Sequence, residues 1–210
     1  MTDPAIVAAA QRLDAAGMMP SKSGNISQRH GDGFTITPAA LPYARMTEAD
    51  LVRVAANGTV DAGAAHRPSS EWRLHAAIYA ARPDMGAVVH THSPRATALS
   101  CARTGIPPFH YMVLLAGGPV HCAEHATLGT EALAQNCVAA LADRRAVLLA
   151  NHGVVACGTT LAAAVTLAFE VENLAGQYLD LLASGLKPVL LNERDLAEAA
   201  AQFAGYGRAT

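Results

Sequence analysis

The sequence predicts an α/β protein whose central sheet is mixed and covered by helices. Predicted strands and helices alternate along the chain, which is typical of helices packed on a sheet. Several strands are joined by short turns rather than by helices, so part of the sheet is expected to be antiparallel. A chain of 210 residues that is 51% hydrophobic can bury one large core, and we predict a single domain over residues 1–210.

The N-terminal part of the chain is predicted to form a helix and then two hairpins. Residues 3–17 have the spacing of an amphipathic helix, with Asp3 and Pro4 at its start and Gly17 at its end. Turn-forming residues between short apolar runs then indicate the hairpins. The turns are Gly31-Asp32-Gly33, between strands at 26–27 and 34–37, and Asn57-Gly58, between strands at 52–54 and 59–60.

The rest of the chain alternates helices with buried strands. Helices are predicted at 71–82, from 94 onward, at 129–142, at 161–183 and at 193–204, and Gly117-Gly118 marks a turn. The first of these helices carries a predicted buried stripe of Trp72, His75, Ala76 and Tyr79. Continuous apolar runs predict buried strands at 87–91 and 146–150, and the turn Asn151-His152-Gly153 leads from the second of them into a partner strand at 154–157.

Composition and charge exclude several classes of function. The net charge is −2 and the 15 Lys and Arg residues are scattered, which argues against a nucleic-acid-binding protein. We find neither the pattern of a secretory signal nor a stretch long enough to span a membrane, so we expect a cytoplasmic protein with no membrane partner. The four cysteines form no C-x-x-C pair, which argues against a zinc knuckle or a thioredoxin-type site.

Three histidines at the ends of buried strands indicate a metal site. His90 and His92 follow one apolar run, and His152 follows the other. Alternate residues of a strand point to the same face about 6.5 to 7 Å apart, so His90 and His92 can converge on one ion. Imidazoles suit zinc, and three ligands leave a coordination position open for chemistry. Taken alone, the pair is equally compatible with surface or core histidines, and most of the other six histidines are interpreted as surface or helix-face residues.

Other polar residues have both a functional and a structural interpretation. Glu71 is a candidate acid/base at a helix N-terminus, or only a favourable charge in a first turn. Ser69 and Ser70 are ordinary helix caps, but their hydroxyls can also form an anion pocket with the helix N–H groups. The loop Ser23-Gly24-Asn25 is a second such pocket or a simple turn. Tyr111 is a proton donor or a packed side chain.

Five motifs follow one another along nearly the whole chain. They are Ser23-Gly24-Asn25-Ile26-Ser27, then Ile36-Thr37-Pro38 with Leu41-Pro42-Tyr43, then Pro68-Ser69-Ser70-Glu71-Trp72-Arg73-Leu74-His75, then His90-Thr91-His92, then His152-Gly153, with residues 203–207 at the C-terminus. Their order and spacing resemble the class II aldolase/adducin family, and most closely its fuculose-1-phosphate aldolase branch. Motifs in a consistent order are far more specific than any one of them alone.

The resemblance implies a fold and a metal site. The fold is expected to have three layers, α/β/α, with a largely antiparallel central sheet, and to assemble as a ring-like homotetramer. Zn²⁺, or another divalent metal, is expected at a subunit boundary, bound by His90, His92 and His152. Glu71 is implied as a further ligand in the resting state, which becomes the acid/base once substrate displaces it from the metal.

The resemblance also implies the residues that contact the substrate. The phosphate is expected to bind Gly24, Asn25, Ser69 and Ser70, with Ala39 and Ala40 contributing backbone groups only. Tyr111 matches a tyrosine supplied by the neighbouring subunit, and Tyr206 matches a mobile C-terminal tyrosine that closes the site. Two features depart from close relatives. Ala39-Ala40 replaces a hydroxyl residue and a glycine, and Leu128 replaces an aromatic residue on the aldehyde side.

The activity implied by the family is a metal-dependent, reversible aldol cleavage. A (deoxy)ketose 1-phosphate such as L-fuculose 1-phosphate would be split, through an enediolate held by the metal, into dihydroxyacetone phosphate and a small aldehyde. Alternatives within the superfamily are a sugar-phosphate 4-epimerase, a sugar-acid phosphate decarboxylase and a methylthioribulose-phosphate dehydratase. A non-catalytic adducin-like scaffold is a further alternative, but it predicts damaged metal ligands, whereas all three histidines and Glu71 are present.

Overall fold

The computed structural model describes residues 4–205, so Asp3 and Tyr206 lie outside the described residues. The α-helices are α1 Pro4–Ala15, α2 Trp72–Ala81, α3 Pro94–Cys101, α4 Glu131–Leu141, α5 Leu161–Ala183 and α6 Glu193–Gly205. Short 3₁₀ helices lie at Pro20–Lys22, Tyr43–Arg45, Glu48–Asp50 and Tyr111–Ala116. Each predicted helix is therefore confirmed, with ends that differ from the prediction by two residues or fewer over the described part of the chain.

The described strands form one seven-stranded sheet in the order β3-β2-β1-β4-β7-β6-β5. Their bounds are β1 Gly24–His30, β2 Gly33–Ile36, β3 Val52–Val54, β4 Ala87–Thr91, β5 His121–Ala123, β6 Ala146–Leu149 and β7 Gly153–Gly158. Every neighbouring pair is antiparallel except β5 and β6, which are parallel. The predicted mixed, largely antiparallel sheet is confirmed.

Helices cover both faces of the sheet, so the three-layer α/β/α arrangement is also confirmed. The strands alternate strictly: Val89 of β4 belongs to the apolar cluster that contains α1, α3 and α5, and Val88 belongs to the cluster that contains α2 and α4. Both faces of the central strands are therefore buried, which explains why β4 and β6 are continuous apolar runs in the sequence.

Two sheet predictions need correction. The hairpin expected at Asn57-Gly58 is only a turn, because the segment at 59–60 pairs with β3 through a single bridge between Val54 and Val60. Strand β5 is missing from the sequence-based interpretation. It contains three residues and pairs in parallel with β6, at the far edge of the sheet from β3, so a local pattern has little to reveal it.

The topology brings three distant segments together at one end of the sheet. Thr91, the last residue of β4, pairs with Val154 of β7, so the residues just after β4 lie beside the turn just before β7. Helix α2 packs on the same sheet, and its N-terminus, preceded by Glu71, points to this end. No helix within residues 4–205 has both the length and the apolar character needed to cross a bilayer.

Candidate metal centre and active site

The three predicted histidines and Glu71 lie together at this end of the sheet. One nitrogen from each of His90, His92 and His152 and one oxygen of Glu71 all lie within 4.8 Å of one another. The Nε2 atom of His90 is 3.1 Å from that of His92 and 3.2 Å from Glu71 Oε2. The Nε2 atom of His152 is 3.3 Å from Glu71 Oε1. The residues that the sequence predicts as ligands are thus brought into one cluster.

The alternation of β4 explains why the cluster faces helix α2. Val88 points to the α2 side of the sheet, so His90, two residues later, points to the same side. The ring nitrogen Nδ1 of His90 is 3.0 Å from the carbonyl oxygen of Val154 and donates a hydrogen bond to it. This bond turns Nε2, the other ring nitrogen, toward the cluster and fixes the tautomer that a metal requires.

The backbone around the cluster is held by two glycines that cannot be replaced without a clash. A Cβ atom on Gly153 would lie 2.5 Å from the carbonyl oxygen of Thr91 and 3.1 Å from Cδ2 of His92. Gly24 has φ +112°, and a Cβ atom there would lie 2.7 Å from the carbonyl oxygen of His90. Strands β1 and β7, which begin at these glycines, therefore approach the backbone of β4 more closely than any side chain allows.

Electrostatics at the cluster set the charge of each group. Burial disfavours the Glu71 carboxylate, but the charges of His90 and His152 outweigh burial and hold its pKa well below the usual range. Burial likewise disfavours protonated His90, yet Glu71 raises its pKa. Burial and repulsion from His90 lower the pKa values of His92 and His152 to about 4. At neutral pH His92 and His152 are therefore neutral imidazoles, the form that binds a metal.

These donors fit a divalent cation. Among the described residues Glu71 Oε1 is buried without a hydrogen-bond partner, because its 3.3 Å contact with His152 Nε2 has an ion-pair distance without hydrogen-bond alignment. A buried carboxylate oxygen without a partner is costly, and a cation bound at the cluster would supply the missing partner. Three imidazoles and one carboxylate are typical ligands of zinc and related metals.

A cavity of about 260 Å³ opens onto the cluster. Its lining includes every residue predicted to contact the phosphate, namely Gly24, Asn25, Ala39, Ala40, Ser69 and Ser70. Glu71, His92 and His152 line it as well, so the cavity connects the metal cluster to the predicted anion pocket. Leu128, which the resemblance places on the aldehyde side, also lies on its wall.

Several of the predicted phosphate contacts are already engaged within the protein. The N–H groups of Ala39 and Ser69 donate to the carbonyl oxygens of Arg67 and Thr37, at 3.0 and 3.1 Å. The amide nitrogen of Asn25 donates to Glu71 Oε2 at 3.0 Å, which leaves its second N–H for a ligand. The N–H of Ala40 has no hydrogen-bond partner among residues 4–205. An anion would therefore find fewer free donors here than the motif alone suggests.

Lys22 is a cavity residue that the sequence analysis missed. It is the only lysine or arginine among the described residues that line the cavity. None of the ion pairs within residues 4–205 involves it, so its charge is not neutralised by a carboxylate of the described chain. The motif Ser23-Gly24-Asn25 begins directly after it, and an extension of that motif by one residue would have included this cation.

Unusual backbone conformations are concentrated around the same cavity. Six non-glycine residues of the described chain have positive φ, and three of them line the cavity or adjoin a histidine of the cluster: Lys22, Ala40 and Asn151. Each such conformation costs about 1 to 3 kcal/mol and persists only where the surrounding structure enforces it. At Asn151 the support comes from the end of α3, because its N–H donates to the carbonyl oxygen of Ser100 and its side chain to that of Cys101.

Tyr111 does not line this cavity in the described chain. Its side chain is 47% exposed and borders a separate groove between the 3₁₀ helix Tyr111–Ala116 and α6. The ring of Tyr111 lies 4.7 Å from that of His110 and 5.8 Å from that of Phe203. A role at the metal would therefore require contact with another copy of the chain, as the resemblance implies. Tyr206 lies outside the described residues.

His75 is the second residue whose importance the sequence analysis missed. The predicted buried stripe of α2 is confirmed for His75 and Tyr79, whereas Trp72 and Ala76 are only half-buried. His75 is fully buried, as the predicted stripe requires, but the sequence analysis assigned no hydrogen-bond partner to it. Its Nε2 atom is hydrogen-bonded to Oδ1 of Asn25, and the amide nitrogen of Asn25 is in turn hydrogen-bonded to Glu71.

Comparisons with known proteins agree with this geometry. The family model for the class II aldolase and adducin N-terminal domain matches residues 4–179. A 5-methylthioribulose-1-phosphate/5-deoxyribulose-1-phosphate aldolase from Rhodospirillum rubrum is 42% identical over 203 residues, which cover 96% of this chain and 90% of the relative. An L-fuculose phosphate aldolase from Escherichia coli K12 is 42% identical over 192 residues, which cover 91% of this chain and 88% of the relative. A solved structure of an L-fuculose 1-phosphate aldolase superimposes with a TM-score of 0.90 at 35% identity, covering 95% of this chain and 94% of that one.

Proposed function

Since this chain belongs to the class II aldolase and adducin family, we propose that it cleaves a deoxyketose 1-phosphate, such as L-fuculose 1-phosphate, into dihydroxyacetone phosphate and a small aldehyde. The resemblance of the sequence motifs to this family is confirmed, and the chain is an aldolase, a carbon–carbon lyase. The observation that carries the proposed reaction is the cluster of Glu71 and three histidines at the floor of a cavity with anion-binding groups on its walls.

We propose that the cluster holds a zinc ion, or another divalent metal, through His90, His92 and His152, with Glu71 as a further ligand before substrate binds. When bound there, the metal supplies Lewis-acid stabilisation of the negative charge that develops on the substrate oxygens. The neutral forms of His92 and His152 and the ionised form of Glu71 support this assignment.

The phosphate of the substrate is proposed to bind in the same cavity, at Lys22, Ala40 and Ser70. Lys22 contributes the positive charge there, and Ser70 and the N–H of Ala40 contribute hydrogen-bond donors. The phosphate then serves as a handle, because its binding places the reacting carbons beside the cluster. In this proposal Lys22 offsets the hydroxyl that Ala39-Ala40 lacks.

Glu71 is the group proposed to move a proton at the reacting carbon. Its carboxylate faces the cavity, and the amide of Asn25 holds one of its oxygens in place. When the C3–C4 bond of the ketose breaks, its electron pair passes into an enediolate and the C4 hydroxyl loses its proton. The proton that leaves the C4 hydroxyl passes to the Glu71 carboxylate, which delivers it to C3; this completes dihydroxyacetone phosphate and leaves Glu71 ionised again.

The group that relays this proton is proposed to be Tyr111 of a neighbouring subunit, whose phenol accepts the proton of the C4 hydroxyl as it gives up its own toward Glu71. Its side chain is exposed and borders a groove other than the cavity, which is consistent with a residue that works on another copy of the chain. This role requires active sites at subunit interfaces, and we propose a homotetramer for that reason.

Leu128 favours a particular kind of aldehyde. Its side chain is exposed on the wall of the cavity and offers apolar surface without a hydrogen-bonding group. An aldehyde with an apolar tail gains from contact with such a surface, whereas an added hydroxyl group gains nothing there. Of the substrates for which the relatives are named, 5-methylthioribulose 1-phosphate and 5-deoxyribulose 1-phosphate fit this apolar wall better than L-fuculose phosphate does. We propose this pair as the second candidate substrate.

The experiment that tests the proposal is product analysis on purified protein loaded with zinc. The substrates are L-fuculose 1-phosphate, 5-deoxyribulose 1-phosphate and 5-methylthioribulose 1-phosphate, each assayed for release of dihydroxyacetone phosphate. The proposal predicts release from at least one of them, and little release by Glu71→Gln. Carbon dioxide, an epimer with an intact carbon skeleton, or loss of water without cleavage would instead identify a decarboxylase, an epimerase or a dehydratase.

A further inference from the structure

Five buried polar side chains, of which Glu71 is the first, form a hydrogen-bonded row that leads into the interior of the protein. They alternate between helix α2 and strand β1 in the order Glu71, Asn25, His75, Ser27 and Tyr79. The three residues on the helix side are spaced by four, so they lie on one helix face, and the two strand residues are spaced by two, so they lie on one face of the sheet. The helix-side residues and the strand residues therefore interdigitate.

Every member of this row is nearly inaccessible to solvent. His75 and Ser27 are 0% exposed, Asn25 is 2% exposed, and Glu71 and Tyr79 are each 6% exposed. The amide nitrogen of Asn25 is 3.0 Å from Glu71 Oε2, and Ser27 Oγ is 2.6 Å from His75 Nδ1 and 2.8 Å from the Tyr79 hydroxyl. Ser27 and His75 are out of reach of water, so each depends on its neighbours in the row for its hydrogen bonds, whereas Asn25 and Glu71 also line the cavity.

With a neutral His75 ring, only one arrangement of protons satisfies the whole row. The Glu71 carboxylate can only accept, so the amide nitrogen of Asn25 faces it and the amide oxygen faces His75. That oxygen requires a donor, which places the ring proton of His75 on Nε2. The bare Nδ1 atom then accepts the proton of the Ser27 hydroxyl, and Ser27 accepts that of Tyr79.

Burial supports the same arrangement, because it lowers the pKa of His75 to about 3 and keeps the ring neutral. The groups in contact with His75 are Asn25 and Ser27 of β1 and the ring of Phe34 of β2, 6.5 Å away between ring centres, and none of them carries a charge. Of the ionisable groups beyond them, His90 lowers the pKa of His75 further and Glu71 raises it, and burial outweighs both. A neutral imidazole with a single N–H is therefore consistent with both the hydrogen bonds and the surroundings.

We propose that His75 is a positioning residue for the aldolase reaction, which acts through Asn25 to hold the carboxylate of Glu71 in its working orientation. The inference rests on the proposed function of Glu71. If the donor at His75 is lost, the Asn25 amide is free to rotate by half a turn. Its oxygen then meets the Glu71 carboxylate, two acceptors repel each other, and the carboxylate loses its anchor.

The test compares three variants of the zinc-loaded protein. His75→Met removes both ring nitrogens at similar volume, and it is expected to lower kcat about 10- to 100-fold with zinc content unchanged, the cost typical of losing a group that supports a metal-site residue. His75→Gln keeps an N–H able to reach Asn25 and should restore kcat to within a few-fold of the wild-type value. Phe34→Leu is the control, since it disturbs the packing beside His75 without changing a hydrogen bond, and its kcat should equal that of the wild type.

Nitrogen NMR of the wild-type protein gives a readout that is independent of catalysis. The His75 ring should show a protonated Nε2 and a bare Nδ1 atom across the neutral pH range. A proton on Nδ1, a charged ring, or an equal loss of kcat in Phe34→Leu and His75→Met would overturn the inference. If His75→Met does not fold, His75→Gln and the wild-type spectrum decide it. If the wild-type protein cleaves no sugar phosphate, the proposed function fails and the spectrum still tests the arrangement of protons.

Discussion

Replacement of Gly153 by alanine tests whether the close contact between β7 and β4 builds the metal site. The new Cβ atom would lie 2.5 Å from the carbonyl oxygen of Thr91, against an ordinary contact distance of at least 3.4 Å. The difference between these two distances requires a shift of about 0.9 Å between the strands. Metal–ligand distances are held to within about 0.2 Å, so a shift of this size next to His90 and His92 separates the ligands.

The expected cost of Gly153→Ala follows from this geometry. Overpacking of a buried site costs about 1 to 3 kcal/mol. Each kcal/mol lowers the melting temperature of a chain of this size by about 2 to 4 °C. The affinity for zinc should fall by about tenfold or more, by analogy with the loss of other groups that orient metal ligands.

Calorimetry and zinc titration measure the two effects separately. Gly63→Ala is a matched control, because a Cβ atom there would meet only Asp61 Oδ1, at an ordinary 3.6 Å, and the backbone of Gly63 needs no positive φ. The control should leave both quantities at their wild-type values. A Gly153→Ala protein with wild-type melting temperature and zinc affinity would refute the claim that this contact shapes the site.

The other predictions concern proton transfer, the phosphate and the aldehyde. Glu71→Gln should lower kcat by about 10²- to 10⁴-fold, the usual contribution of a general acid or base, and should retain zinc on the three histidines, which elemental analysis checks; wild-type turnover would remove Glu71 from the mechanism. Lys22→Met should raise KM for the phosphorylated substrate by about 5- to 150-fold, the factor expected for a charge-assisted bond of about 1 to 3 kcal/mol, with little change in kcat, whereas Lys187→Met, on an exposed loop, should change neither. Leu128→Ser should raise KM for an aldehyde with an apolar tail more than for a hydroxylated one, measured in the synthetic direction, and equal effects on both would contradict the role of that wall.

Much of the metal cluster was predictable because its signals are local. The pattern at His90 and His92 needs only the alternation of a strand and an apolar run before it. His152 follows a similar run, and the pairing of β4 with β7 places it beside the other two. The distance between Glu71 and the histidines, by contrast, depends on how α2 packs on the sheet, which no local pattern describes. The family resemblance, rather than the spacing of residues, predicted that contact.

The residues that the sequence analysis missed depend on contacts between distant segments. His75 was assigned only to a buried stripe, because its partner Asn25 is fifty residues away and their contact exists only once β1 lies under α2. The spacing of Glu71, His75 and Tyr79 by four residues was nevertheless a visible signal of one polar helix face. Lys22 was missed because it adopts a left-handed backbone, with φ 64°, and a sequence usually indicates that conformation only by a glycine or an asparagine.

Titration of metal-depleted protein with zinc tests the central claim most directly. The protein is stripped with a chelator, and release of dihydroxyacetone phosphate from the best substrate of the panel is followed as zinc is added. The account predicts no release from the stripped protein and a linear rise that ends at one zinc per chain, with His90→Ala inactive at every ratio. Full activity in the stripped protein, or a His90→Ala protein as active as the wild type, would contradict it.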